Sequence, residues 1–216
     1  MSADCIAPDW PAPDSVIAGT TLRNGRLDTL ALPGEPCFLK QVHGAEVVIA
    51  AAYARPPEAD ASVGRLPGDV CAVRTADCLP VLFCSGDGTE IAAAHAGWRG
   101  LAAGILEATV ARMAHDPADL IAWLGPAISQ PAFEVGSEVK EAFVQKDAGD
   151  VGCFEPNDRG RWQADLYGLA HRRLSACGLT GIYGGGFCTY ADTERFYSYR
   201  RDPDCGRMIS FIARKL

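Results

Sequence analysis

The sequence predicts an α/β (α+β) fold in which mixed β-sheets, built from hairpin-linked strands, are flanked by helices. Three observations lead there. Short apolar runs of strand character alternate with segments whose apolar residues recur at helical spacing. The turn sequence Ser85-Gly86-Asp87-Gly88 joins two such runs directly, a connection that only antiparallel neighbours permit. Finally, 216 residues with 48% apolar and 22% charged content suffice to bury a full core as one domain spanning 1–216.

Residues 1–19 hold Pro8, Pro11 and Pro13 and read as an irregular lead-in. From Pro36 to Ala50 the chain is β-like, with Cys37-Phe38-Leu39 and Val47-Val48-Ile49 on either side of the turn signal at His43-Gly44. Residues 51–68, with Pro56, Pro57, Gly64, Pro67 and Gly68, are expected to be a loop. Val70 to Arg74 and Val81 to Cys84 read as buried strands, and Glu90 to Ala94 as the return strand of the hairpin. His95-Ala96-Gly97-Trp98-Arg99-Gly100 then breaks the strand. A helix is expected over Leu101 to Ala114, because Leu101, Ile105, Leu106, Val110 and Met113 recur at helical spacing. Leu120 to Leu124 is a strand ending at Gly125-Pro126. Gly136 to Gln145 and Asp165 to Cys177 are helices, the second closed by Gly178. Ile182 to Phe187 and Arg207 to Arg214 close the chain as strands.

Charge and hydropathy exclude several functions. With 20 basic against 27 acidic residues the net charge is −7, so no basic field offers itself to a nucleic-acid backbone. No apolar run approaches the ~18 residues a membrane span needs. Met1 to Trp10 has neither a basic nor an apolar leader region and carries Asp4 and Asp9, so a cytoplasmic protein is expected. The nine cysteines are scattered without CxxC spacing and mostly sit among apolar neighbours, as Cys37 and Cys84 do. They read as reduced packing residues, with one exception to find.

Three segments combine a scarce reactive side chain with a turn at a strand end: Gln41-Val42-His43-Gly44, Thr75-Ala76-Asp77-Cys78-Leu79-Pro80 and His95-Ala96-Gly97-Trp98-Arg99-Gly100. Strands of one sheet are expected to carry these loops. His43, Cys78 and His95 are 35 and 17 positions apart, which excludes a zinc finger and suits a site assembled from three strand ends. Two imidazoles and a thiolate form a set that zinc accepts, leaving a fourth position for water or substrate. The other two histidines, His115 after a helix end and His171 within a helix, have no such setting.

The motifs QVHG at 41–44, RTADCLPVLF at 74–83, AAAHAGWRGLAAGI at 92–105, GPAI at 125–128, FEVGSEV at 133–139 and FYSYRRD at 196–202 resemble the YfiH-like proteins. That family was first called multicopper polyphenol oxidase, or laccase-domain. The resemblance runs from about residue 36 to 212. It implies a YfiH-like fold and a zinc-bearing purine nucleoside phosphorylase that also deaminates adenosine and cleaves methylthioadenosine. It places the metal ligands at His43, Cys78 and His95. It implies purine nucleosides and phosphate as partners, with the chain a monomer or weak homo-oligomer. Two departures are visible. Relatives carry a longer front section, of which only Gly19 to Gly25 has a counterpart here. Their Cys-Cys-Tyr-Glu-like run after GPAI is replaced by Pro131-Ala132-Phe133-Glu134.

Within that reading, Trp98-Arg99-Gly100 opens a helix, so its unpaired N–H groups and Arg99 can hold an oxyanion such as phosphate. Asp77 is a candidate to orient a ligand imidazole or act as a base, beside Cys78 as the catalytic thiolate ligand. Arg200 and Arg201 offer a second anion site near Tyr197 and Tyr199, Cys188-Thr189 is a candidate pocket wall, and Glu134 ranks below these. Three rival readings compete, one of them a non-catalytic module that binds nucleoside without turning it over. A copper-dependent phenol oxidase would use Cu2+ at the same trio, although only His115 and His171 would remain for a trinuclear cluster. A Cys–His thiol hydrolase would use Cys78 as nucleophile and either histidine as base.

Overall fold

A computed structural model describes residues 4–216, so positions 1–3 of the expected lead-in lie outside the described residues. Eight strands come first: β1 (Cys5–Ile6), β2 (Val16–Thr21), β3 (Pro36–Cys37), β4 (Val47–Ile49), β5 (Ala61–Gly64), β6 (Val70–Thr75), β7 (Leu79–Ser85) and β8 (Ile91–Ala96). Helices α1 (Trp98–Ala103) and α2 (Ile105–Arg112) follow, then β9 (Leu120–Leu124), β10 (Glu134–Val135) and α3 (Ser137–Val144). The chain ends with β11 (Phe154–Pro156), β12 (Trp162–Ala164), α4 (Leu166–Ala176), β13 (Gly181–Gly184) and β14 (Met208–Arg214).

These strands form a five-stranded sheet ordered β1-β2-β14-β6-β3, a six-stranded sheet ordered β13-β9-β7-β8-β5-β4 and a small sheet β10-β12-β11. The first two are mixed. β6 pairs antiparallel with β14 but parallel with β3, and β9 pairs antiparallel with β7 but parallel with β13. The predicted hairpin is β7–β8, registered from Leu79 opposite Ala96 to Cys84 opposite Ile91.

The six-stranded sheet is the middle layer, and period-two alternation on its central strands assigns each side chain to a face. Val81 and Phe83 of β7 and Ala92 and Ala94 of β8 pack against Leu101, Ile105 and Leu106 of the first helices and Leu169 and Leu174 of α4. Leu82, Cys84, Ile91 and Ala93 face the other way, onto Cys71, Val73 and Ile212 of the five-stranded sheet. All seven residues of β7 and all six of β8 are buried, the signature of strands covered on both faces.

Three expectations need correction. The lead-in contains β1 and most of β2, because Val16-Ile17-Ala18 completes the edge of the five-stranded sheet against β14. The loop 51–68 contains β5, whose small residues Ala61 and Ser62 pair with Ala94 and Ala93 of β8. The helix expected over 101–114 begins at Trp98 and is cut in two at Gly104, whose φ of 99° places it in the left-handed region. The short strands of the small sheet carry no periodic signal, and their pairing is fixed by tertiary contacts. By contrast α4 has the ends its sequence specifies. Asp165 accepts from the Gly168 amide at 3.0 Å, and Gly178 (φ 99°) with Leu179 returns bonds to the Ser175 and Leu174 carbonyls.

All nine cysteines are free thiols, and burial pushes Cys71 and Cys84 up to about 12 and Cys5 and Cys153 up to about 11. Such thiols stay protonated and act as small packing groups.

Glu90, at the entry of β8, ties three segments together. Its buried carboxylate accepts from Arg65 Nε at 2.7 Å, the Ala114 amide at 2.7 Å and His115 Nδ1 at 3.0 Å. Burial raises its pKa, but the bonds from His115, Arg65 and Ala114 outweigh that and hold the carboxyl below its ordinary value. A depressed folded-state pKa means that this stabilisation is present at neutral pH and lost as acid protonates the folded carboxylate. Glu90→Gln is expected to cost about 2 kcal/mol in urea unfolding at pH 7. The difference from wild type is expected to narrow as the pH falls below the ordinary glutamate value of about 4.3. Equal unfolding midpoints at pH 7 would contradict the assignment.

Candidate functional site

The crossings between the two large sheets bring the three predicted ligands together. His43 lies on the connection from β3 to β4 and Cys78 on the connection from β6 to β7, so each sits where the chain leaves one sheet for the other. His95 lies within β8, on the face that looks toward the five-stranded sheet. The site is therefore at the seam of two sheets and not on the rim of one, as the sequence suggested. Cys78 Sγ is 3.9 Å from His43 Nε2, and the two imidazole centroids are 4.8 Å apart at an interplanar angle of 75°. The three ligand atoms all lie within 4.8 Å of one another. Among the described residues this is the one group of three or more His, Cys, Asp or Glu side chains able to hold a metal ion.

Asp60 organises both imidazoles. Its fully buried carboxylate lies 2.8 Å from His95 Nδ1 and accepts backbone N–H bonds from Val42, His43 and Gly44 at 3.2, 3.0 and 2.7 Å. The three amides form a concave nest around the carboxylate. They hold His43 at φ 61°, a conformation that an L residue adopts only when its surroundings enforce it. With Nδ1 of His95 engaged by Asp60, Nε2 is the nitrogen left for the ion, the usual carboxylate–histidine–metal arrangement. Burial raises the Asp60 pKa, and the His95 bond and loop amides more than reverse this, so the group stays ionised.

The trio favours a thiolate beside a protonated imidazole, so a metal ion binding there would displace the His95 proton. Burial works against ionisation of Cys78, but the adjacent His43 and His95 pull its pKa down to about 6. Burial works against protonation of His95, yet Asp60 and Cys78 lift it to about 9. A thiolate and two imidazoles within reach of one point are a zinc donor set, and the Sγ–Nε2 separation is close to a tetrahedral edge at ordinary Zn–S and Zn–N lengths. Two glycines let α1 close over it. A Cβ at Gly97 would sit 2.9 Å from Cys78 Sγ and 3.1 Å from His43 Cδ2, and one at Gly100 would sit 2.9 Å from the Gly44 carbonyl.

Two cavities flank the trio and share His43, Cys78, Arg99 and Tyr199. One, of about 250 Å³, is walled by Trp98, Ile128, Phe133 and Leu166, with Arg200 at its edge. The other, of about 590 Å³, is the more polar of the two and carries Gln41, Arg74, Thr75 and Arg207. Arg99 is exposed, lies over the Trp98 ring at 4.5 Å and makes no ion pair among the described residues.

The remaining predicted residues divide. Asp77 borders the smaller cavity, but its carboxylate accepts from Thr189 Oγ1 at 2.6 Å, Ser198 Oγ at 3.0 Å and the Arg200 amide at 2.7 Å. The imidazole-orienting acid is thus Asp60; Asp77, at φ 85°, anchors the Cys78 turn to the segment 198–200. Thr189 is fully buried behind Asp77 and, like Cys188, lines neither cavity. Arg200 reaches the smaller cavity while donating to the Glu134 carbonyl at 3.1 Å. Arg201 does not, because its guanidinium is spent on the carbonyls of Thr189, Tyr190 and Phe196. The Glu134 side chain turns away to Asn157, Arg159 and Arg161. The residue that sequence reasoning missed is Asp60. Its one signal is an acid alternating with alanines in Glu58-Ala59-Asp60-Ala61, inside a stretch read as loop.

Residues 18–215 match the family model described as multi-copper polyphenol oxidoreductase laccase. A Pseudomonas aeruginosa protein named purine nucleoside phosphorylase PA4543 is 46% identical over 96% of this chain and 97% of its own. Purine nucleoside phosphorylase YfiH of Escherichia coli K12 is likewise 46% identical, over the same shares. That alignment runs over 238 positions against 216 residues here, so the relative has insertions this chain lacks. Among solved structures, protein NMB0706 of Neisseria meningitidis superposes with a TM-score of 0.94 at 41% identity, covering 99% of this chain and 100% of that one. YlmD of Geobacillus stearothermophilus, at 24% identity and a TM-score of 0.88 over 100% of this chain and 98% of that one, shares the fold.

Asp60→Asn keeps the shape of the carboxylate but replaces one acceptor oxygen with a donor facing other donors. Metal affinity, measured by competition with a chromogenic chelator, is expected to fall about 10- to 100-fold. Undiminished affinity in a folded variant would show that His95 needs no such partner. Gly97→Ala is expected to lower affinity as well, by driving a methyl group into Cys78 Sγ.

Proposed function

We propose that this chain, which belongs to the family described by the multi-copper polyphenol oxidoreductase laccase model and including the YfiH purine nucleoside phosphorylases, is a zinc-dependent purine nucleoside phosphorylase. One observation carries the reading. The His43–Cys78–His95 group lies between an apolar cavity with an aromatic wall and a polar one with arginines, in a chain 46% identical to proteins named for that activity. The substrates are inosine, guanosine or adenosine with inorganic phosphate. Adenosine deamination and methylthioadenosine phosphorolysis are side activities of the same site. The chain acts as one catalytic domain over 1–216, in the cytoplasm, as a monomer or weak homo-oligomer.

In phosphorolysis an oxygen of hydrogen phosphate bonds to C1′ of the ribose as the C1′–N9 bond breaks. The electron pair leaves on N9, and the phosphate proton ends on the base. His43, Cys78 and His95 would hold zinc, which as a Lewis acid stabilises charge that develops in the reaction. Asp60 keeps His95 in the tautomer that presents Nε2. Asp77 acts as a positioning residue, fixing Cys78 in its turn and the Tyr199-Arg200 segment beside it. Arg99 supplies positive charge to the phosphate, and Trp98, Phe133 and Ile128 offer flat apolar surface to a purine.

A phenol oxidase with several coppers is disfavoured by the histidines. His115 is bound to Glu90 and Asp87, and His171 lies on α4 beside Ser175, so neither adds to the trio. A thiol hydrolase reading draws support from the low Cys78 pKa, and the metal content separates it from the phosphorylase.

Purified protein grown without added copper is expected to contain zinc and to convert inosine to hypoxanthine and ribose 1-phosphate only when phosphate is present. Chromatography of the products checks this; base release independent of phosphate, or none, would overturn the reading. Cys78→Ala is expected to lose both zinc and turnover. A metal-free wild type that is active and inactivated by stoichiometric alkylation at Cys78 would favour the hydrolase.

A further inference from the structure

We propose that inorganic phosphate is held in the polar cavity, on the side of the metal-ligand trio marked by Arg74, and that Arg74 and Arg99 are its two anchoring guanidiniums. The proposal deepens the phosphorylase reading and rests on it for the identity of the anion.

The charge distribution points there. The chain carries a net charge of −7, yet the residues lining this cavity include Arg74, Arg99 and Arg207 and no carboxylate. Three arginines in a cleft whose wall carries no carboxylate make a local anion well in an acidic protein. The hydrogen bonds then separate the arginines. Arg207 donates to the carbonyls of Cys205 and Gly206 at 2.7 and 2.9 Å, Arg200 to that of Glu134, and Arg201 to three others. Among the described residues no acceptor takes a hydrogen bond from the guanidinium of Arg74 or of Arg99.

Both free guanidiniums are nevertheless held. Arg74 lies 3.8 Å from the centroid of the Phe38 ring and Arg99 4.5 Å from that of Trp98. Stacking restrains the cation while leaving its N–H edge available for the bidentate contacts that phosphate favours. The backbone of Arg74 is clamped as well. The Gln41 side-chain amide donates to the Arg74 carbonyl at 2.9 Å and accepts from its N–H at 2.8 Å. That clamp joins the strand leading to Cys78 to the loop carrying His43, so the anion site and the ligand trio share one rigid frame. Thr75, which lines the same cavity, has a buried hydroxyl without a hydrogen-bond partner among the described residues.

The test compares wild type with Arg74→Gln, with Arg74→Lys as a variant that keeps the charge, and with Arg55→Gln as an arginine outside both cavities. For Arg74→Gln, the KM for phosphate is expected to rise about 10- to 100-fold while the KM for inosine stays unchanged. Arg74→Lys is expected to fall between, and Arg55→Gln to match wild type. Phosphorolysis by Arg74→Gln with an unchanged KM for phosphate would overturn the proposal and leave the phosphorylase reading intact. Should wild type release no base, that reading fails by itself. Phosphorus NMR titration with inorganic phosphate alone then decides the site: binding weakened by Arg74→Gln supports it, and equal or absent binding overturns it.

Discussion

The carboxylate of Asp60 is the constraint on which the rest of the site depends. It is fully buried, and its position is justified only by the four donors that converge on it: one imidazole and three successive backbone amides. An ionised carboxylate with fewer partners could not remain in that place at reasonable cost. In return it fixes the ring of one candidate ligand and the strained backbone of another. Cys78 then falls into place between two imidazoles whose positions are already set.

The fold supplies the other half of this arrangement. The helices and the five-stranded sheet cover the two faces of the six-stranded sheet, so its central strands must be thin and apolar throughout. The alanines of β8 meet that demand, and they make His95 and its partner Asp60 conspicuous polar groups among apolar neighbours. The loops holding His43 and Cys78 pass from one sheet to the other, which brings residues 35 positions apart to within hydrogen-bonding range. Gly97 and Gly100 then allow α1 to pack against those loops at distances that no side chain would tolerate. The two cavities that flank the trio are the two sides of this closed seam.

Much of this was legible in the sequence. The β7–β8 hairpin, β9 and α4 announce themselves through turn and capping residues. The trio stands out because half of the chain's four histidines stand in short glycine-containing motifs, with a cysteine in a third short motif between them in the sequence. What was not legible is equally instructive. β5 was hidden because Ala61 and Ser62 carry little strand propensity and pair through contact with β8. Asp60 was hidden with it, since a carboxylate between alanines has meaning only once its four donors are brought together. The arginines could be noticed but not ranked. Arg201 and Arg74 look alike in the sequence, and only their hydrogen bonds separate a guanidinium locked onto carbonyls from one stacked on a ring and free to bind.

In the proposed site His43, Cys78 and His95 are the ligands of one zinc ion. Zinc-edge X-ray absorption of the purified protein tests it most directly. The expected zinc shell has a single sulfur neighbour at about 2.3 Å and nitrogen neighbours at about 2.0–2.1 Å with imidazole outer-shell scattering. A zinc shell without sulfur, or with more than one sulfur, would contradict it.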